Sequence, residues 1–70
     1  MKNEYSAVNK NDSEWWIGWI EEIPGVNCQE KTKEELIISL EVVLKEALEF
    51  NREEAISYAG IDFFEEKISI

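Results

Sequence analysis

The stretch from Glu14 to Val26, Glu-Trp-Trp-Ile-Gly-Trp-Ile-Glu-Glu-Ile-Pro-Gly-Val, sets the tightest limit on how this chain can fold. It holds all three tryptophans, the only proline and two of the three glycines. Read with period two, Trp15, Ile17 and Trp19 point to one face of a strand, and Trp16, Gly18 and Ile20 point to the other. Both sets are apolar, whereas a strand with one solvated face alternates apolar with polar. Both faces therefore need cover. Pro24-Gly25 closes the strand, with proline pre-set for the second position of a type II turn and glycine free to take the positive φ of the third. A hairpin partner beginning at Val26 follows from that turn.

Seventy residues make one domain, residues 1–70, and a domain this small is marginal unless it is stapled or oligomeric. The single cysteine, Cys28, rules out a disulfide within the chain and reads as a small buried hydrophobe. No cationic-then-apolar leader opens the sequence, and no apolar run approaches the roughly 20 residues of a membrane span. The expectation is a soluble, cytoplasmic protein. Sixteen acidic residues against seven basic ones give a net charge of −9, which argues against direct nucleic-acid contact and favours either solubility or a basic partner. Histidine is absent, so the commonest general base and nitrogen metal ligand are missing.

Taken in order, Asn3 to Val8 has a strand pattern, and Lys10-Asn11-Asp12-Ser13 is a polar cluster that predicts a hairpin turn into the tryptophan strand. Val26 to Glu30 is a short third strand, completing a meander. Thr32 followed by Glu35 is a capping box. Beyond it Leu36, Leu40, Val43, Leu44 and Ala47 recur at spacings of three and four, the apolar stripe of an amphipathic helix. Glu41, Lys45, Glu46 and Glu49 fall largely on the other side. Ile37, Ile38, Leu48 and Phe50 widen the stripe beyond what one sheet face needs, which leaves part of the helix for a partner. Asn51 with Glu54 repeats the capping-box spacing, so the helix either breaks there and restarts or runs straight through; Gly60 ends it in both cases, as a left-handed cap would.

Phe63 to Ile70 reads as a fourth strand with Phe64, Ile68 and Ile70 on one face. The order β-β-β-α-β predicts an α+β fold of two layers, a four-stranded sheet with one long helix on one face. A right-handed crossover places the last strand beside the first, in the order third-second-first-fourth; donation of that strand to a neighbouring chain is the alternative. Gly18 is the expected point of close helix approach, because it has no side chain to hold the helix away. That leaves Trp15, Ile17 and Trp19, with Ile68 and Ile70 from the last strand, as an oligomer interface of a dimer or tetramer; the opposite assignment of faces exchanges the labels. A small-molecule pocket floored by the aromatic face is a third reading.

The carboxylate pairs Glu21-Glu22, Glu34-Glu35, Glu53-Glu54 and Glu65-Glu66 do not converge, since neighbours point to opposite faces of a strand and diverge by about 100° on a helix. Glu34 and Glu35 already complement the helix dipole. No phosphate-binding glycine loop, nucleophile motif, cofactor site or metal-ligand cluster is present. The chain reads as a binding or assembly module, not an enzyme.

The order of these pieces resembles a known family. An aromatic strand running into Glu22-Ile23-Pro24-Gly25-Val26, then Gln29-Glu30-Lys31-Thr32-Lys33-Glu34-Glu35-Leu36, then Leu44-Lys45-Glu46-Ala47-Leu48 in a helix, is similar to the HicB-type antitoxin domain over roughly residues 4 to 50. The resemblance implies a partial RNase H-like fold that is not itself a nuclease, in a prokaryotic protein that masks a small basic ribonuclease toxin. Acidic residues near the Pro-Gly turn and along the helix would then meet the toxin: Glu21, Glu22, Glu34, Glu41 and Glu49. Full-length members carry a C-terminal DNA-binding segment that these 70 residues do not match, so DNA binding is not expected of them. A self-associating structural or regulatory protein without a toxin partner is the alternative function.

Overall fold

The computed structural model describes residues 4–69. Strands β1 (Ala7–Asp12), β2 (Trp15–Ile20) and β3 (Asn27–Glu30) form an antiparallel meander in the order β1-β2-β3, followed by one helix, α1 (Lys33–Ala59). The tryptophan strand lies at the centre. Val8 sits opposite Trp19, Lys10 opposite Ile17, and Asp12 opposite Trp15, while Gly18 faces Cys28 on the other side.

The first hairpin is tighter than the polar cluster suggested. Lys10, Asn11 and Asp12 belong to β1, and the loop is only Ser13-Glu14. Ser13 takes φ 62 at the first central position, a sign pattern that suits the right-handed twist of a two-residue hairpin. Polar residues are admissible in β1 because it is an edge strand, half-buried at its start and exposed at its end. At the second turn the Val26 amide donates to the Ile23 carbonyl at 3.5 Å, and Gly25 holds φ 89, the arrangement of a type II turn around Pro24-Gly25.

The helix starts where its cap predicts. The Glu35 amide donates to Thr32 Oγ1 at 3.1 Å, and the Thr32 hydroxyl donates back to Glu35 Oε1 at 3.0 Å. The helix runs through Asn51 without a break, for 27 residues. Propagation adds one backbone bond for each residue fixed, and nothing at Asn51 offers those amides a better partner. Gly60 ends it at φ 81 and ψ −138, which is not the left-handed helical cap but a region that essentially only glycine occupies.

The core is small. Ile20 and Val26 from the sheet side and Leu36 and Leu40 from the helix are buried, with Ala7, Trp16, Ile23, Cys28, Val43, Leu44 and Ala47 packed around them. Gly18 lets the layers close: a Cβ built there would lie 3.0 Å from Leu36 Cδ2 and 3.1 Å from Leu40 Cδ1. The Ser39 hydroxyl donates to Glu30 Oε2 at 2.6 Å, tying the helix to β3.

The expected four-stranded sheet is not what forms. Residues 60–69 contain no strand, and the sheet has three strands among the described residues; Ile70 lies outside them. The uninterrupted helix is the physical reason. At about 1.5 Å per residue it is about 40 Å long, twice the roughly 20 Å of a six-residue strand. The chain is thus carried past the sheet before Gly60 releases it. Phe63 and Phe64 then lie near Arg52, Ala55, Ile56 and Ala59, and Glu65 reaches Arg52 at 3.9 Å, instead of approaching β1.

Candidate functional site: two exposed faces

Two surfaces stand out, one on each side of the two-layer structure. The first is the outward face of α1. At about 100° per residue, Glu34, Glu41 and Glu49 fall within an arc of roughly 80°, and Ile38 and Val42 fall in or at the edge of the same arc. Ile38 is 64% exposed and Val42 51% exposed, so two branched apolar side chains stand in water inside an acidic frame. Glu41 pairs with Lys45 at 3.7 Å, both well exposed, a contact that solvent makes weak. Glu34 also sits in the first helical turn, where its charge complements the dipole.

Glu21 and Glu22 do not join that face. They lie in the loop after β2, where the Glu21 amide donates to the Ser6 carbonyl at 2.9 Å and the Ser6 amide donates to Glu22 Oε1 at 2.8 Å. That charge-assisted bond from the Ser6 amide holds the Glu22 carboxyl below its ordinary range. Glu22 therefore has a structural role of its own, fastening the chain ahead of β1 to the turn ahead of β3.

The second surface is the open face of the sheet. Residues opposite each other across strands share a face, so Trp15, Ile17 and Trp19 are flanked by Val8, Lys10 and Asp12 on one side and by Asn27 and Gln29 on the other. Trp15 and Trp19 are 38% and 40% exposed. The apolar strip is one strand wide. Lys31 Nζ stands 4.3 Å from the Trp15 ring centroid, a cation–π contact that already covers part of it. Trp16, on the helix side, has Lys33 Nζ at 5.9 Å. Ile68 is not part of this face; it lies in the segment after the helix, exposed.

Reactive chemistry is sparse. Cys28 is half-buried against the core, and burial together with the nearby Glu30 charge pushes its thiol up, away from the reactive thiolate. Among the described residues no group of three His, Cys, Asp or Glu side chains could hold a metal ion, and no helix is long and apolar enough to cross a membrane.

Val42 escaped the sequence reading, which followed the buried stripe. Its signal was there: eight residues after Glu34 and four before Glu46, it belongs to the acidic side of the helical wheel. Comparison of the chain with protein-family models, with curated proteins and with solved structures returns no match.

Proposed function

We propose that this chain is a non-catalytic, acidic protein-binding module of the antitoxin type, acting in the cytoplasm and masking a small basic protein, of which a ribonuclease toxin is the class its HicB-like sequence order suggests. One observation carries the reading: the exposed pair Ile38 and Val42 framed by Glu34, Glu41 and Glu49 on the outer face of α1. Apolar anchors surrounded by polar groups are the anatomy of a protein interface, and a frame whose carboxylates outnumber the cations Lys45 and Arg52 in the same arc favours a basic partner and steers its approach. Glu21 and Glu22, on the loop after β2, would add to the attraction at longer range without touching the same patch.

The test is co-expression with the product of the adjacent reading frame. The reading predicts a stoichiometric complex, relief of any toxicity, and loss of both when Ile38→Lys is combined with Glu41→Lys. Both side chains point to solvent, so these changes leave the fold intact. No complex, or a complex indifferent to the double substitution, would sink it.

A second reading rests on the tryptophans of the open sheet face: a structural or regulatory protein that self-associates through Trp15, Ile17 and Trp19 without any toxin. Its narrow apolar strip and the lysine already lying on Trp15 make it the weaker of the two. Trp19→Glu would dissociate an assembly built that way, and an unchanged assembly would count against it.

A further inference from the structure

The free edge of β1 opens onto a largely apolar groove that none of the described residues fills. Next to the β1–β2 ladder the Glu21 amide donates to the Ser6 carbonyl, so by alternation the inward bonds belong to Val8, Lys10 and Asp12. The backbone amides and carbonyls of Ala7, Asn9 and Asn11 therefore point outward, away from the sheet. Asn9 Nδ2 donates to the Ala7 carbonyl at 3.2 Å, a side chain standing in for a neighbouring strand. Beside this edge lies a groove of about 410 Å³, walled by Tyr5 and Ala7 on the sheet side and by Ile37, Leu44 and Leu48 on the helix side, with Leu40 beneath and the charged pair Glu41 and Lys45 at its rim.

We infer that this edge and groove receive the segment Phe63–Ser69 of a second copy of the chain, in a reciprocal exchange between two protomers. The segment has the pattern the groove requires. With period two, Phe64, Glu66 and Ile68 fall on one side, apolar at both ends with a carboxylate between them, while Phe63, Glu65, Lys67 and Ser69 fall on the other. Phe64 is 96% exposed and Ile68 77% exposed, so the apolar side of the pattern is uncovered within its own chain. The chain's own segment is held elsewhere, along the last helical turns, through Phe63 and the Glu65–Arg52 pair.

Surface area points to a second copy of this size. A compact monomer of 8.2 kDa exposes roughly 4,500 Å², whereas this chain exposes 6020 Å². The radius of gyration tells the same story, 15.3 Å against roughly 11 Å for a compact 70-residue domain. Removing the excess from both protomers would bury about 3,000 Å² in total, within the range of obligate homodimers. A twofold exchange uses the same two surfaces on each copy and closes on itself, which leaves no edge to propagate.

The experiment mixes two single-cysteine chains, both carrying Cys28→Ser, one with Ala7→Cys and the other with Ile68→Cys, and joins them with a short bis-maleimide linker. The expected result is a mixed cross-linked dimer, with a solution mass by light scattering of twice 8.2 kDa before linking. Phe64→Asp with Ile68→Asp should halve that mass and leave helical circular dichroism unchanged, because both side chains are solvated in the single chain. A monomeric mass overturns the proposal. So does a dimer that gives no mixed product, which would move the interface to another face, or a Phe64→Asp, Ile68→Asp chain that keeps the dimer mass. These outcomes do not depend on Ile38 or Val42; Glu41 borders both surfaces, so Ile38→Lys alone tests partner masking without touching the groove, and the two proposals then fail separately.

Discussion

Adding one methyl group at Gly18 tests the packing that organises the molecule. An Ala Cβ there would come 2.9 Å from the Val8 carbonyl oxygen, 3.0 Å from Leu36 Cδ2 and 3.1 Å from Leu40 Cδ1. The two leucine methyls could yield by small rotations, but both belong to buried side chains with little room to turn. The carbonyl is backbone of the neighbouring strand and moves only if β1 moves. Overpacking of this kind costs about 1–3 kcal/mol, partly offset by about 0.5–1 kcal/mol gained from stiffening the unfolded chain. The net expectation for Gly18→Ala is a loss of about 1–2 kcal/mol. Native stability for 70 residues is roughly 4–10 kcal/mol, so the loss is a sizeable share of the whole. It should lower Tm by about 4–8 °C for each kcal/mol. Urea unfolding followed by tryptophan fluorescence measures it directly, since Trp15 and Trp19 flank the site in sequence and Trp16 packs against the core. Protein concentration must be matched between variants, because association would stabilise both. A Gly18→Ala protein as stable as the parent would refute the close approach of α1 to β2.

Leu40→Ala removes a fully buried side chain and should cost about 2–5 kcal/mol, a large share of the total stability, read as a lowered urea midpoint and Tm by circular dichroism. Thr32→Ala takes away the acceptor of the Glu35 amide and should cost about 1 kcal/mol, whereas Thr32→Ser should retain most of it; the urea midpoint distinguishes them. The Glu22 carboxyl has a folded-state pKa below its ordinary value of 4.5, so its tether contributes above that pH and is lost as pH falls from there through the folded value. Protection of the Ser6 amide against hydrogen exchange should therefore be present at pH 6 and collapse in acid, and Glu22→Gln should flatten that dependence. Alkylation of Cys28 by iodoacetamide at pH 8 should be slower than that of a free thiol and should accelerate in urea, because burial raises the thiol's pKa.

The elements most legible from sequence were those with a local mechanism. Thr32 with Glu35 located the start of α1 because a cap is chemistry between residues three apart. Pro24-Gly25 located the second turn because proline and glycine restrict their own backbone angles. The lack of alternation in β2 called for cover on both faces; α1 supplies it on the Trp16, Gly18 and Ile20 face, meeting the strand where Gly18 marked it, while Trp15 and Trp19 stay exposed on the other. The features that did not follow were settled by competition between distant parts. Lys10 to Asp12 look like a turn by composition, yet pairing with the tryptophan strand extends β1 through them. Asn51 and Glu54 carry a second cap signal, yet the cooperativity of a helix already 18 residues long overrides it. The fourth strand failed for the same reason. A segment with strand periodicity becomes a strand only where an edge is within reach, and the long helix determines where Phe63 to Ser69 can go.

That long helix also connects the fold to the functional reading. Four buried side chains are a slender core for 70 residues, and a helix twice the length of its sheet cannot bury more of itself against three short strands. Several apolar positions of the helix lie at or beyond the border of the core. Ile37, Leu44 and Leu48 turn toward the free edge of β1, whereas Ile38 and Val42 turn the opposite way, into the acidic frame. The first group is lined up with a sheet edge and suits another strand, whose backbone would hydrogen-bond as it buries its side chains. The second group has no edge beside it and is bounded by carboxylates, so it suits a compact surface of opposite charge. One helix thus carries two different flanks, and the self-assembly and the capture of a basic partner proposed above would meet only at Glu41.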